Sequence, residues 1–425
     1  MRLSTLAGRA ALRISPHRGM SIAASMGLPS SMSDATIATI KATAPVVAPA
    51  ALEITKTFYK GLFEKNPGLL SIFNQQNQAS GAQPAALAAS VVAFASNIDQ
   101  LQEIVGFPGS PVDVIAHTHC GLQVLPQHYP IVHDEMMVAI GTVLGPAVSP
   151  EIGSAWSEAV CFLAGVLIDA EANLYDLAAA RSGGWRGFAP FEVTAVEQVT
   201  ADVKSFRFAP TSLGASLDSA AGGFQFSPGQ FLTLRVDLQN GVLTAPRHYT
   251  ITSSPGEKTL ECTIKKVPNG GVSEFMHEQV GAGSTVELSP PFGTFTPRDS
   301  SRKAVLVSAG IGVTPMLTIG KRLGSSVALV VHVDSAPAAH PYSRRCADLG
   351  APTLFKYSSD GGKIPAEQLV TEIFAALGSH NPQECDFYLC ASPGFQSSVK
   401  EALCSAGAKT IYSEAFKGHL ELDTD

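Results

Sequence analysis

The sequence predicts a multidomain protein: an all-helical domain, then an antiparallel β-barrel, then an α/β nucleotide-binding domain. Three observations carry this. The chain is 425 residues long, longer than one hydrophobic core usually extends. Its apolar residues recur at helical spacing to about residue 180, follow strand patterns to about 298, and then form short solid runs followed by glycine or other small residues. The stretch "ARSGGWRGF", residues 180–188, punctuates the first change of period with two adjacent glycines.

Composition narrows the function classes. With 45% hydrophobic and 15% charged residues the chain can bury large cores. A formal charge of -7 argues against nucleic acid or an anionic membrane surface as the main partner. No long apolar run suggests an integral membrane segment, and no obligate protein partner is evident. The seven cysteines, Cys120, Cys161, Cys262, Cys346, Cys385, Cys390 and Cys404, are scattered and odd in number. That suits a reducing compartment better than a disulfide framework or a cysteine metal site. Residues 1–31 carry Arg2, Arg9, Arg13 and Arg18 with no acid before Asp34. Such a basic leader reads as a mitochondrial transit peptide or a disordered tail, so the expected location is the cytoplasm or the mitochondrial matrix.

The helical domain is expected over 32–180. In "ALEITKTFYKGLF", Leu52, Thr55 and Tyr59 share one face and Ile54, Phe58 and Leu62 a neighbouring one, a broad surface for burial. "AQPAALAASVVAFASNI" sets Gln83, Leu87 and Val91 four apart, and "AWSEAVCFLAGVLIDAEANLY" reads as a long, mostly apolar helix. Between them lies "DVIAHTHCGLQV", residues 113–124. Helical residues turn by about 100° each, so His117 and His119 point roughly 200° apart and cannot share a pocket. His119 lies on the face of Ile115 and Leu122 and is the better metal ligand, whereas His117 is expected to be solvated or to stand behind the site.

The barrel is expected over 187–298, from runs such as "FEVTAVEQVTADVKSFRFAP", "QFLTLRVDL" and "KTLECTIKKV" with turn-forming segments between them. "TSLGASLDSAAGGFQFSPG" reads as a loop insertion. The α/β domain is expected over 302–418, followed by a tail at 419–425. "KAVLVSAGIGVTPMLTI" is an apolar strand, a glycine turn and a helix, and "SVALVVHVDS" and "CDFYLCASPGF" repeat the strand theme. A mainly parallel sheet follows, with ligands expected at the carboxyl ends of its strands.

The helical domain resembles the globin half of the flavohaemoglobins. "TFYKGLFEKNPGLLSIFNQQNQ" is similar to their distal segment, with Tyr59 at the distal tyrosine and Phe73 at the phenylalanine that packs on haem. Gln83 and Leu87 match the distal glutamine and leucine. His119, in "IAHTHCG", matches the proximal histidine that ligates iron, and Tyr129 and Glu171 match the tyrosine and glutamate around it. Extra residues around "GFPGSP" leave the flanking matches undisturbed. A carboxylate bonded to an iron-bound imidazole gives it imidazolate character, which favours oxygen chemistry over storage.

The rest resembles the reductase half of the same family. "APRHYTITSS", residues 245–254, is similar to its R-x-Y-S/T flavin signature: Arg247 would meet the pyrophosphate of flavin adenine dinucleotide (FAD), with Tyr249 and Thr250 along the flavin ring. "NGGVSEFMH", residues 269–277, matches a second phosphate-binding segment with Gly270, Gly271 and Ser273. In "FSPGQF", residues 226–231, Phe231 replaces a frequent tyrosine and keeps stacking without the hydroxyl. "LVSAGIGVTPML", residues 306–317, is not the G-x-G-x-x-G fingerprint. Its Gly310, Gly312, Thr314 and Pro315 match the reductase family's nicotinamide loop instead. "YLCASPGF", residues 388–395, supplies Cys390 and Phe395 where the family carries C-G-P, with Ala391 and Ser392 departing from that pattern. In "IYSEAF", Glu414 and Phe416 match the glutamate and the aromatic that covers the flavin.

The resemblance covers about residues 32–418. It implies haem b, FAD and NAD(P)H as cofactors, and a nitric oxide dioxygenase that turns nitric oxide and dioxygen into nitrate. A haem-flavin NAD(P)H oxidase or alkyl hydroperoxide reductase is the enzymatic alternative; a non-enzymatic oxygen or nitric oxide sensor lacks an evident output domain. For the coenzyme, Asp334 and Ser335 suit ribose hydroxyls, while Ser343, Arg344 and Arg345 suit a 2′-phosphate; the balance leans to NADH.

Overall fold

In the computed structural model the described residues are 21–73, 78, 81–100, 109–211, 222–237, 243–244, 246–268, 271–299 and 301–415. They fall into two compact units, one up to Leu177 and one from Ala178 onward.

The first unit is helical: α1 (Ile22–Ser25), α2 (Asp34–Lys65), α3 (Ala82–Ser96), α4 (Pro111–Leu122), α5 (Tyr129–Leu144) and α6 (Pro150–Ala180). Local chemistry sets several of the ends. Ser33 caps α2 by accepting from Thr36 N, and Asp34 and Lys65 sit at the ends where the helix dipole favours each charge. Ser110 caps α4 ahead of Pro111, and Gln123, left-handed at φ 60°, stops it. One core joins Ile40, Ile54, Phe58, Leu62, Met136 and Trp156. A second joins Val112, Ala116, Tyr129, Leu167 and Ile168.

Two expectations change. Leu52, paired above with Thr55 and Tyr59, is 43% exposed, because the buried stripe is centred on Ile54, Thr55, Phe58, Tyr59 and Leu62. The described end of the leader, residues 21–31, packs on the helical unit: Ala23 is buried and its N–H donates to Asp169 Oδ1, and Leu28 packs on the second core. By length and composition alone α2 and α6 are apolar enough to cross a membrane, and both contribute to the helical cores.

The second unit carries two sheets. The first, in order β4-β3-β6-β1-β2-β5, comprises β1 (Ala189–Thr200), β2 (Val203–Pro210), β3 (Phe231–Arg235), β4 (Arg247–Thr250), β5 (Leu260–Lys265) and β6 (Thr285–Leu288), with antiparallel neighbours. Phe191, Val193, Phe206, Phe208, Leu232 and Ile264 fill its core, and α7 (Val272–Glu278) closes one side through Val272 and Met276. The second sheet, order β11-β10-β7-β8-β9, is wholly parallel. Its strands are β7 (Lys303–Ala309), β8 (Val327–Asp334), β9 (Thr353–Tyr357), β10 (Cys385–Ala391) and β11 (Thr410–Ala415). Helices α8 (Val313–Leu323), α9 (Ser343–Ala347), α10 (Ala366–Ala376) and α11 (Pro393–Ser405) accompany them. Strand order reverses beside β7, which places a ligand crevice outside the carboxyl ends of β7 and β10.

Candidate functional site

His119 stands in the last turn of α4, where the cap at Gln123 fixes its backbone. Its Nδ1 lies 2.8 Å from Glu171 Oε1 and 3.2 Å from the Tyr129 hydroxyl. Tyr129 donates its only hydroxyl hydrogen to the same Glu171 oxygen at 2.5 Å. Glu171 is 2% exposed, so the pair of bonds is shielded from water. With Tyr129 spending its hydrogen on the carboxylate, Nδ1 must be the donor from the imidazole. That tautomer leaves the Nε2 lone pair for a metal. Burial, with Glu171 beside it, pushes the Tyr129 phenol far above its usual range. The side chain of His117, expected to be solvated or to stand behind the site, is 13% exposed and lies 3.6 Å from Asp113, more enclosed than that of His119 at 29%.

Tyr59, Phe73, Gln83 and Leu87 assemble separately around the end of α2 and the start of α3. Tyr59 is buried; its ring stacks on Phe63 and meets Phe73 edge-on, both at 5.8 Å between centroids. Burial raises the Tyr59 phenol well above its usual value despite an opposing hydrogen bond with Gln83, so its hydroxyl stays protonated and able to donate. Gln78 donates to Gln83 Oε1 at 2.6 Å and orients that amide. Phe73 and Leu87 pack against the same apolar cluster. Among the described residues no group of three or more His, Cys, Asp or Glu side chains could hold a metal ion. A one-histidine site of this kind fits a metal whose other ligands come from a macrocycle.

In the barrel, Arg247 and Tyr249 alternate along β4 opposite β3, where Thr250 pairs with Phe231 and Tyr249 with Leu232. Arg247 Nη1 donates to the Pro246 carbonyl at 2.9 Å, fixing part of the guanidinium. Thr250 is buried, and Phe231 lies 4.3 Å from the His248 ring, so its aromatic face is kept without a hydroxyl. Gly271 takes a left-handed φ of 59° just before α7. Ser273 is buried and accepts from Val267 N at 3.2 Å. Gly270 and Phe416 lie outside the described residues.

At the crevice of the parallel sheet, Gly310 follows β7 with φ 53°. A Cβ on Gly312 would sit 2.1 Å from the Cys390 carbonyl oxygen, so only glycine lets the β7 and β10 loops approach this closely. Thr314 is buried and donates to the Ile311 carbonyl at 2.9 Å, and Pro315 is buried in the first turn of α8. Cys390 is fully buried, and burial drives its thiol well above the usual value, so it is an inert packing group here. Phe395, expected at a cofactor, packs against the core of this domain. Gln396 Oε1, in the first turn of α11, is a buried oxygen without a partner. Burial lifts the Glu414 carboxyl to about 7.

A further cluster escaped sequence reasoning. At the carboxyl end of β8, the His332 and His340 rings stack at 3.8 Å, and His340 Nδ1 meets the Tyr357 hydroxyl at 2.9 Å. The phrase "VHVDSAPAAHPY" hints at it only through two histidines in one short segment. His340 also lines a cleft of about 530 Å³ between barrel and parallel-sheet residues, with Thr252, Glu261, Lys321, Tyr342 and Arg345.

Comparison with known proteins places these features in one frame. Residues 56–167 match the Globin model and residues 190–296 the Oxidoreductase FAD-binding domain model. The chain is 34% identical to a Flavohemoprotein of Deinococcus radiodurans, over 89% of this chain and 95% of that one. It is 33% identical to Flavohemoprotein A of Dictyostelium discoideum, over 89% and 96%. The crystal structure of a flavohemoglobin from Malassezia yamatoensis, with bound FAD and heme, is similar at a TM-score of 0.78 and 27% identity, covering 91% of this chain and 100% of that one.

Proposed function

Because this chain belongs to the flavohaemoglobin family, we propose that it is an NAD(P)H-dependent nitric oxide dioxygenase carrying haem b and FAD. Two nitric oxides, two dioxygens and one NAD(P)H would give two nitrates, NAD(P)+ and a proton. The bound groups supply the electron chemistry: flavin divides a hydride into single electrons, and haem iron activates dioxygen.

The residues of this chain fit those groups. His119 would ligate iron through Nε2, with Nδ1–H fixed on Glu171 and Tyr129. That anionic acceptor makes the imidazole a stronger donor, and it is the observation that carries the reading toward oxidative turnover. Tyr59 presents a protonated hydroxyl to a partly negative ligand, Gln83 orients it, and Phe73 and Leu87 keep the surroundings apolar and short of water. Arg247 and Ser273, with Gly271 allowing close backbone approach, suit the phosphates of FAD. Gly310 and Gly312 admit a dinucleotide at the sheet crevice, where the orphaned Gln396 oxygen can accept a hydrogen bond. Glu414, near neutrality, can hold a proton beside that crevice.

The test is an anaerobic titration of haem-replete, FAD-replete protein with NADH and NADPH, following flavin and Soret bands, then nitric oxide consumption in air with nitrate assayed. Coupled bleaching followed by stoichiometric nitrate is expected. Oxygen-only turnover without nitrate would favour an oxidase, and reduced flavin with ferric haem would break the proposed electron path.

A further inference from the structure

We propose that residues 21–33 form a strap that clamps α6 from behind, so that Ala23, Leu28, Gly165 and Asp169 are positioning residues for the bond between Glu171 and His119. The effect on haem rests on the reading of His119 as the iron ligand. The clamp itself stands on contacts within this chain.

The strap takes its shape from its own sequence. In "SIAASMGL", residues 21–28, Ser21 caps α1 by accepting from Ala24 N. Gly27, left-handed at φ 73°, lies just past its end. The Gly27 N–H donates to the Ala24 carbonyl at 3.0 Å, and the Leu28 N–H to the Ala23 carbonyl at 3.1 Å. This paired closure turns the chain and brings Leu28 to the side of Ala23. Both side chains then meet the same place on α6.

Three positions on α6 receive the strap. The Ala23 N–H donates to Asp169 Oδ1 at 3.1 Å. Gly165 is buried, and a Cβ there would lie 3.4 Å from Ala23 Cβ, 3.6 Å from Leu28 Cβ and 3.7 Å from the Pro29 carbonyl oxygen. Glu158 accepts from Ser33 N at 2.9 Å and, through its other oxygen, from the Thr36 hydroxyl. The strap therefore runs antiparallel to α6, with Ala23 beside Asp169, Leu28 beside Gly165 and Ser33 beside Glu158. At about 100° per residue, positions 158, 165 and 169 share a face about 40° wide.

Glu171 projects about 200° from Asp169, on the opposite face, where it meets His119 and Tyr129. The helix is thus held between the strap and the proximal histidine. Leu28 links the two sides, because it packs on the cluster that contains Tyr129, Leu167 and Ile168. Without the strap α6 loses its backing and can rock away from α4, and the hydrogen bond from His119 Nδ1 lengthens and weakens. A chain cut before Ser21 keeps the whole clamp, whereas one beginning at Met32 keeps only the Glu158 contacts. The position of the N-terminus therefore sets the donor strength of His119.

The experiment compares haem-replete, FAD-replete proteins: the full chain, a chain lacking residues 1–20, a chain beginning at Met32, and the full chain with Gly165→Ala or Gly165→Val. Resonance Raman of the ferrous, ligand-free form reads the iron–histidine stretch, and hydrogen exchange reads the α6 amides. Lack of residues 1–20 should change neither, nor should Gly165→Ala, whose Cβ fits at ordinary contact distance. The Met32 chain and Gly165→Val should move the stretch to lower frequency and cut protection of amides 165–171 by at least about ten-fold. Gly165→Val placed in the Met32 chain should add nothing, since the segment it displaces is gone. Unchanged amide protection in the Met32 chain overturns the clamp, and an unchanged stretch overturns its positioning of Glu171. A further loss when Gly165→Val is added to the Met32 chain also overturns the assignment of Gly165 to the strap. Absence of an iron–histidine stretch from the full chain overturns the haem reading, while the exchange data still decide the clamp.

Discussion

Replacing Glu171 by glutamine keeps the side chain's shape and removes one charge from the acceptor that holds His119. In the native protein Glu171 Oε1 takes hydrogen bonds from His119 Nδ1 at 2.8 Å and from Tyr129 at 2.5 Å. A hydrogen bond to a charged partner contributes about 1.5–3 kcal/mol, against about 0.5–1.5 kcal/mol for a neutral one, so each bond weakens by about 1 kcal/mol. The His119 share would act on the imidazole proposed to hold the iron. Ferric iron makes the imidazole N–H more acidic and gains more from an anionic acceptor than ferrous iron does, so the variant loses ferric stabilisation preferentially. At about 59 mV per 1.4 kcal/mol for one electron, a ferric-over-ferrous loss of up to about 1 kcal/mol raises the haem potential by up to roughly 40 mV. Spectroelectrochemical titration of haem-replete wild type and Glu171→Gln reads this directly. A potential unchanged within about 10 mV, with the haem spectrum intact, would refute the claim that the carboxylate tunes the iron through His119.

Other expectations follow from the same geometry. Tyr59→Phe removes the protonated distal hydroxyl, and loss of one bond to a charged ligand should speed dioxygen dissociation about ten- to a hundred-fold in stopped-flow measurements; an unchanged rate would remove Tyr59 from the oxygen site. Gly312→Ala drives a Cβ to 2.1 Å from the Cys390 carbonyl. It should lower the stability of the reductase unit by about 1–3 kcal/mol and slow flavin reduction, seen by calorimetry and stopped flow; wild-type stability would mean that the β10 loop yields freely. Glu414 is lifted by burial from 4.5 to about 7, so the folded form holds a proton that the unfolded chain gives up. Its stabilising contribution is full below about 4.5 and is lost as pH rises through about 7, a span of up to about 3 kcal/mol that Glu414→Gln should flatten in urea titrations followed by flavin fluorescence.

Much of the architecture was legible from local pattern. Period and glycine punctuation predicted the helical block, the β-rich run "FEVTAVEQVTADVKSFRFAP", which the structure divides into β1 and β2, and the strand, turn and helix of "KAVLVSAGIGVTPMLTI", because strand alternation and helix capping act over a few residues. The helical turn angle separated His119 from His117, but left open whether His117 is solvated or enclosed, which depends on what packs against that face. Tyr129 and Glu171 came from family resemblance, since no periodicity links them to His119.

The sequence by itself determined the order of three devices and the residue types each could offer. The tertiary structure decided which of those residues meet. It brought Glu171 to His119 across 52 positions, laid Gly312 against the Cys390 carbonyl, stacked His340 on His332, and committed Arg345 to Glu261 across 84 positions. Such contacts depend on how whole elements pack, and packing sums many weak interactions between distant parts of the chain that no short window contains. Whether an arginine is available for a phosphate, or a carboxylate for a ribose, is therefore settled by the fold's other hydrogen bonds and not by the residue's own neighbours in sequence.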